Sequence, residues 1–139
     1  MIILTGSEGF IGKNFLKRLK DEEIVEVEKN NAQDFCKNFT EWSKVKLIIH
    51  QGAISSTTCT DIELLINTNV AFTEWLFKRA IKYKIPVKYA SSASVYGNTS
   101  DTINPLNYYA ITKVITDYWV QDNIDRFKLI QGFRYFNVY

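Results

Sequence analysis

Tyr109 and Lys113 stand four residues apart in a segment, residues 106–124, whose apolar residues recur at helical spacing, so both side chains leave the helix on one face. An ammonium held beside a phenol stabilises the phenolate and makes an acid or base usable near neutral pH. In a chain with eight tyrosines such a pair arises readily by accident, so its meaning depends on what accompanies it. Residues 89–97 read YASSASVYG, a strand ending in serines, and Ser92 is placed to hydrogen-bond a substrate hydroxyl and turn it toward Tyr109. The plainer reading of residues 91–94 is a loop whose hydroxyls satisfy nearby backbone groups.

The chain opens MIILTGSEGFIG, and half of its six glycines, Gly6, Gly9 and Gly12, fall in this turn. Before them lies an unalternating apolar run, as in a central parallel strand; after them Phe10, Ile11, Phe15, Leu16 and Leu19 recur at helical spacing. In that setting Gly6 lets the chain reverse, Gly9 lets a pyrophosphate approach the backbone, and Gly12 lets helix and sheet pack closely. The helix start, with Phe10 and Ile11, offers free amides and a positive dipole end to phosphate. A glycine-rich turn with no ligand is the plainer alternative. Glu28, at the end of the second strand, suits the free 2′-hydroxyl of NAD, whereas Lys29 beside it suits the 2′-phosphate of NADP, so NAD(P)+ stands without a choice between the two. With Glu22, Glu23 and Glu26 close by, Glu28 also reads as a solvated loop acid.

The one histidine, His50, has no second histidine or acidic cluster beside it, so a structural role is expected and no metal site. Gln51, Gly52 and Ala53 follow it, the last two small enough for a cofactor to pass close to the backbone. Asn69 interrupts an apolar stripe of Ile62, Leu65, Phe72 and Leu76. A polar residue on a buried face needs partners, so Asn69 either holds a strand carbonyl or a water near the cofactor or is satisfied structurally.

These residues need elements to position them. Strands are expected over residues 1–5, 24–28, 46–51, 86–91 and 128–135, and helices over 10–20, 32–42, 61–83 and 106–124. The alternation predicts an α/β fold, a Rossmann-like doubly wound parallel sheet with helices on both faces. Only residues 29–46 separate Glu28 from Leu47, so the third strand of such a sheet is expected to be short or missing. Ile111, Val114, Ile115 and Tyr118 are expected to face the core, and Leu64, Trp75 and Trp119 to form an exposed apolar face. At 139 residues the chain is read as one domain, residues 1–139, able to hide about two thirds of its extended surface. A net charge of +2 gives no reason to expect nucleic acid. No apolar run is long enough to cross a bilayer and no signal peptide precedes the first strand, so a cytoplasmic protein is expected, with Cys36 and Cys59 as reduced thiols.

The segments TGSEGFIG, HQGAISSTT, YASSASVYG, YYAITK and GFRYFNVY occur in the order and approximate spacing of the extended short-chain dehydrogenase/reductases, the NAD-dependent epimerase/dehydratase group. The chain resembles that family over nearly its whole length. Within it the likeness is greatest to the ADP-L-glycero-D-manno-heptose 6-epimerases and smaller to nucleotide-sugar 4-epimerases and 4,6-dehydratases. The resemblance implies that Tyr109 is the catalytic acid/base, that Lys113 holds the nicotinamide ribose, and that Ser92, four residues before Tyr96, is the third catalytic member. It also implies that Gly6, Gly9, Phe10, Ile11, Gly12, Glu28, Lys29, Gln51, Gly52, Ala53 and Asn69 attend the cofactor, and Ser92, Ala93 and Asn137 a nucleotide-sugar substrate. A second copy of the chain is implied as partner, through residues 61–83 and 106–124. In such epimerases a hydride leaves a sugar carbon for NAD(P)+ and returns to the opposite face, with no net redox change. This sequence departs from the family in the short segment after Glu28, in the short loop 98–107, and in stopping at Tyr139 where relatives continue into a substrate domain. The expectation is therefore the cofactor-binding part of an epimerase, with the substrate domain absent, weak NAD(P) binding and no turnover alone. Another sugar epimerase, dehydratase or reductase, or a non-catalytic nucleotide- or partner-binding module, are the alternatives.

Overall fold

Five parallel strands, β1 (Ile2–Thr5), β2 (Ile24–Val27), β3 (Leu47–His50), β4 (Val87–Ser92) and β5 (Ile130–Tyr135), pair in the order β2-β1-β3-β4-β5. The structure is a computed structural model describing residues 1–139. All four residues of β1 are buried, as its unbroken apolar sequence requires of a strand covered on both faces. Ile2, Leu4 and Ile49 point to helix α1 (Phe10–Arg18), meeting Phe15, Leu16 and Leu19. Ile3, Val27, Ile48 and Val87 point the other way, onto α2 (Ala32–Asn38), α4 (Phe72–Tyr83) and α5 (Tyr108–Asp122) through Phe35, Leu76, Phe77, Ala80 and Val120. The doubly wound architecture is as expected.

No strand forms between β2 and β3. The expected helix over 32–42 ends at Asn38 and the chain turns again in a 3-10 segment, Trp42–Lys44. That shortcut leaves β2 as an edge strand. Asn31 covers part of it, accepting from Glu28 N–H at 2.7 Å and donating to Glu26 O at 3.0 Å. Phe35 and Phe39 each pack edge-on against Trp42, and Trp75 joins them with ring centroids 6.0 Å from Phe35 and 5.8 Å from Trp42. Trp75 is thus half-buried rather than exposed, and so is Trp119, which packs against Phe77 and Phe127. Of the three residues expected on an exposed face, only Leu64 is there.

The helix expected over 61–83 is built in three parts: α3 (Ile62–Leu65), capped by the Asp61 carboxylate accepting from Leu64 N–H at 3.0 Å, a π-helical stretch Ile66–Ala71, and α4. The wide turn contains Asn69, whose side chain bonds outside the helix, a recognised cause of such a bulge. Leu65 and Leu76 are buried as the stripe predicts, but Ile62 is exposed. The largest departure is on α5. Ile111, Ile115 and Tyr118 face outward and Val114 is half-buried, whereas Thr112, Lys113 and Thr116 are buried together with Ala110 and Val120. Much of the inward face of α5 is thus polar, with Thr112 bonded to Asn69 and Lys113 to Ala90 O.

Candidate active site

The strand order reverses between β1 and β3, and a cavity of about 760 Å³ opens there at the carboxyl ends of the strands, where doubly wound sheets take ligands. Gly6, Gly9, Phe10, Ile11, Gly12, Glu28, Lys29, Gln51, Gly52, Ala53, Ser92, Tyr109, Lys113 and Asn137 all line it. Asn69 and Ala93 do not. Tyr135 and Phe136 line it without having been singled out; the parallel register that sets Tyr135 beside Ser92 brings them in, and only the pairing of β4 with β5 could have revealed it.

The glycine turn is shaped by contact. Gly6 has a positive φ of +72°, and a Cβ there would stand 2.7 Å from Gly52 N; a Cβ on Gly12 would stand 2.0 Å from Gly6 O. Gly9 differs, since its added Cβ would meet nothing nearer than 3.4 Å, so its bareness serves the cavity rather than the fold. Lys13 N–H donates to Gly9 O at 2.9 Å as α1 begins, leaving the amides of Phe10, Ile11 and Gly12 ahead of the first intrahelical bond. The first turn holds no acidic side chain that would compete for an anion. Glu28 is not a loose solvated acid: its Oε1 accepts from Ser7 Oγ at 2.8 Å and Glu8 N–H at 3.1 Å, which braces the turn.

Across the cavity the wall is made of side chains. Lys113 is buried and its Nζ donates to Ala90 O at 2.9 Å; burial pushes the ammonium down to about 8 while Asp117 acts in the opposite direction. The same Nζ lies 5.9 Å from the centre of the Tyr109 ring. Ser92 Oγ accepts from Ser94 N–H at 3.1 Å and from Ser94 Oγ at 2.8 Å, so its acceptor positions are filled and its own proton is left to donate. Ser92 also begins the 3-10 turn Ala93–Tyr96, so a residue that lines the cavity also caps the loop.

Two buried polar residues hold this wall in place. Asn69 accepts from Ile54 N–H at 2.8 Å and donates to Ile54 O at 3.0 Å and Thr112 Oγ1 at 3.1 Å, clamping the loop after β3 to α5. It acts on the cavity from behind. His50 is paired through Nδ1 with Thr5 Oγ1 and through Nε2 with Thr73 Oγ1, both at 2.7 Å, and burial drives its pKa down to about 3, so the ring is neutral. Thr5 Oγ1 in turn accepts from Gly52 N–H at 2.9 Å. This is the structural role expected of the sole histidine.

The wall fits a dinucleotide. The glycines leave a cradle that any side chain would fill, and the buried Gln51 Oε1 has no partner within the protein, which suits a ligand donor. Lys113 keeps two ammonium protons beyond the one given to Ala90. No helix is long and apolar enough to cross a membrane.

The sequence model of the NAD dependent epimerase/dehydratase family matches residues 2–139. Among solved structures, the chain is similar to ADP-L-glycero-D-manno-heptose-6-epimerase of Helicobacter pylori, with 26% identity and a TM-score of 0.83 over 99% of this chain and 55% of that one. UDP-glucuronic acid 4-epimerase from Bacillus cereus, in complex with NAD, matches at 23% identity and a TM-score of 0.77, over 99% of this chain and 57% of that one. UDP-N-acetylglucosamine 4-epimerase from Methanobrevibacter ruminantium, in complex with UDP-N-acetylmuramic acid, matches at 19% identity and a TM-score of 0.84, over 99% and 55%. At such identities the two 4-epimerases speak for the fold alone. The chain spans little more than half the length of these relatives.

Proposed function

The chain belongs to the NAD-dependent epimerase/dehydratase family, and on that premise we propose that residues 1–139 are the NAD(P)+-binding domain of a nucleotide-sugar epimerase acting on an ADP-glycero-manno-heptose. The observation that carries this reading is that the glycine turn and the group Ser92, Tyr109 and Lys113, far apart in sequence, line one cavity. The likeness to the heptose 6-epimerase supports the sugar. Bound NAD(P)+ supplies reversible acceptance of a hydride from a sugar carbon. Tyr109 takes the proton of the hydroxyl on that carbon as the hydride leaves and gives it back on return. Lys113, anchored at Ala90 O, holds ribose hydroxyls and sets positive charge beside Tyr109. Ser92 donates its free proton to the sugar oxygen, and Asn137, on the same wall, contacts the nucleotide-sugar. Return of the hydride to the opposite face inverts the carbon, and the redox sum is zero.

Glu28, braced at the turn, favours a free 2′-hydroxyl and opposes a 2′-phosphate, so NAD+ is the preferred cofactor despite the nearby Lys29. A second copy of the chain is the proposed partner, since Tyr108, Ile111, Ile115 and Tyr118 form an exposed stripe along α5, with Ile62 and Leu64 exposed on α3. The free thiols Cys36 and Cys59 accord with a cytoplasmic site of action.

Calorimetric titration of the chain with NAD+ and NADP+, with light scattering for mass, tests the reading. Binding of NAD+ about tenfold tighter than NADP+ is expected. Equal or reversed preference would remove the role given to Glu28. No binding of either cofactor by a stable dimer would replace the epimerase reading with a non-catalytic partner-binding module. Turnover of ADP-heptose by these 139 residues alone is not expected, because positioning of the sugar supplies much of the rate.

A further inference from the structure

One turn beyond Lys113, α5 sends a second polar side chain against β4. Asp117 accepts from Tyr89 OH at 2.8 Å through Oδ1 and from Ser91 Oγ at 2.7 Å through Oδ2, and Arg134 Nε of β5 donates to the same Oδ2 at 3.3 Å. Lys113 donates to Ala90 O at 2.9 Å. Between them the two side chains grip Tyr89, Ala90 and Ser91, the residues that lead directly into Ser92. We propose that Asp117 is a positioning residue for Ser92, Tyr109 and Lys113, docking α5 on the strand that ends at Ser92 and supplying the counter-charge that keeps the buried Lys113 an ammonium. The functional meaning rests on the reading of Lys113 given above.

The titratable groups packed around Lys113 and Asp117 single out this carboxylate. On α5 the other ionisable neighbour is Tyr109, whose ring centre is 5.9 Å from Nζ. From β3 comes His50, which burial holds neutral. From β4 comes Tyr89, whose phenol burial and Asp117 keep protonated. From β5 comes Arg134, a partly exposed cation that also donates to Tyr96 OH at 2.8 Å. Asp117 is the one anion in this set, and it opposes the desolvation of Lys113. A side chain needed only to pin α5 to β4 would serve as well uncharged.

Asp117→Asn in the full chain separates these roles, because the amide keeps the shape and an acceptor while removing the charge. The readout is the NMR titration of the Lys113 side-chain amine in the ligand-free protein. Loss of the counter-charge should move its midpoint down by about half a unit or more. Mere loosening of α5 would admit water and move it up; a rise, or no change, overturns the proposal. Should Asp117→Asn fail to fold, Arg134→Gln carries the test: it removes the opposing cation, an upward shift is expected, and a fall or no change overturns the proposal. The titration needs no cofactor. Failure of the unaltered chain to bind NAD+ would therefore sink the cofactor reading without deciding the role of Asp117.

Discussion

The two walls of the cavity are made of different material. Around β1, the glycine turn and α1, the cavity is bounded largely by backbone: free amides, absent side chains and a helix end. Around β3, β4 and α5 the lining is side chains, Ser92, Tyr109 and Lys113 among them, and behind them stand the buried polar residues His50, Asn69 and Thr112. The first wall is a consequence of close packing, so shape and stability coincide there. In the second, burying polar groups costs stability, and His50, Asn69, Thr112 and Lys113 are each kept in place by a specific partner.

The most severe way to test the backbone wall is Gly12→Val. Its Cβ would stand 2.0 Å from Gly6 O, with backbone on both sides and nothing flexible to move. A loss of upward of about 4 kcal/mol is expected in chemical denaturation, with NAD+ binding gone from calorimetry. Gly9→Ala is its counterpart: with the nearest atom at 3.4 Å, stability should change by less than about 1 kcal/mol while NAD+ affinity falls. If both substitutions act alike, shape and ligand contact are not separable in this wall and the comparison fails.

The side-chain wall is tested by acid. Burial lowers the His50 pKa from its ordinary 6.5 to about 3 in the folded chain, so the unfolded chain binds the extra proton first. Stability present above pH 6.5 should drain away as the pH falls toward 3, by roughly 3–5 kcal/mol, the size of such a shift. His50→Gln should flatten that part of the curve. An unaltered acid slope in the variant would show that carboxylates, not the Thr5–His50–Thr73 link, set the acid limit.

The same division governs what could be read from the sequence. The glycine spacing, the preceding strand, the following helix and the missing third strand were all legible, because each depends on neighbours in the chain. Helical spacing showed that α5 has an apolar stripe but not which way it faces; Ile111, Ile115 and Tyr118 turn outward while Ala110, Thr112, Lys113, Thr116 and Val120 turn in. Trp75 and Trp119 were misplaced for a related reason. The short link between β2 and β3 leaves room that Phe35, Phe39, Trp42 and Trp75 fill together, and no local pattern announces such a cluster. Asn69 was marked by its polarity within an apolar stripe, yet its partners Ile54 and Thr112 are products of the fold. Asp117, which holds Tyr89 and Ser91, carried no local signal.

A modest effect with opposite signs in stability and affinity is the most discriminating. Lys113→Met keeps the length of the side chain and removes a buried ammonium that burial already pushes down to about 8. Because burial outweighs the Asp117 charge and holds the ammonium at about 8 rather than its ordinary value, removing it should raise stability at neutral pH by about 1–2 kcal/mol in chemical denaturation, even after the bond to Ala90 O is lost. NAD+ affinity should fall by about tenfold, the worth of one charged hydrogen bond to a ribose hydroxyl. Opposite signs are the point, because in Gly12→Val both quantities fall together. If Lys113→Met lowers stability instead, the Ala90 bond and the Asp117 charge outweigh desolvation, and the lysine belongs to the fold as much as to the site.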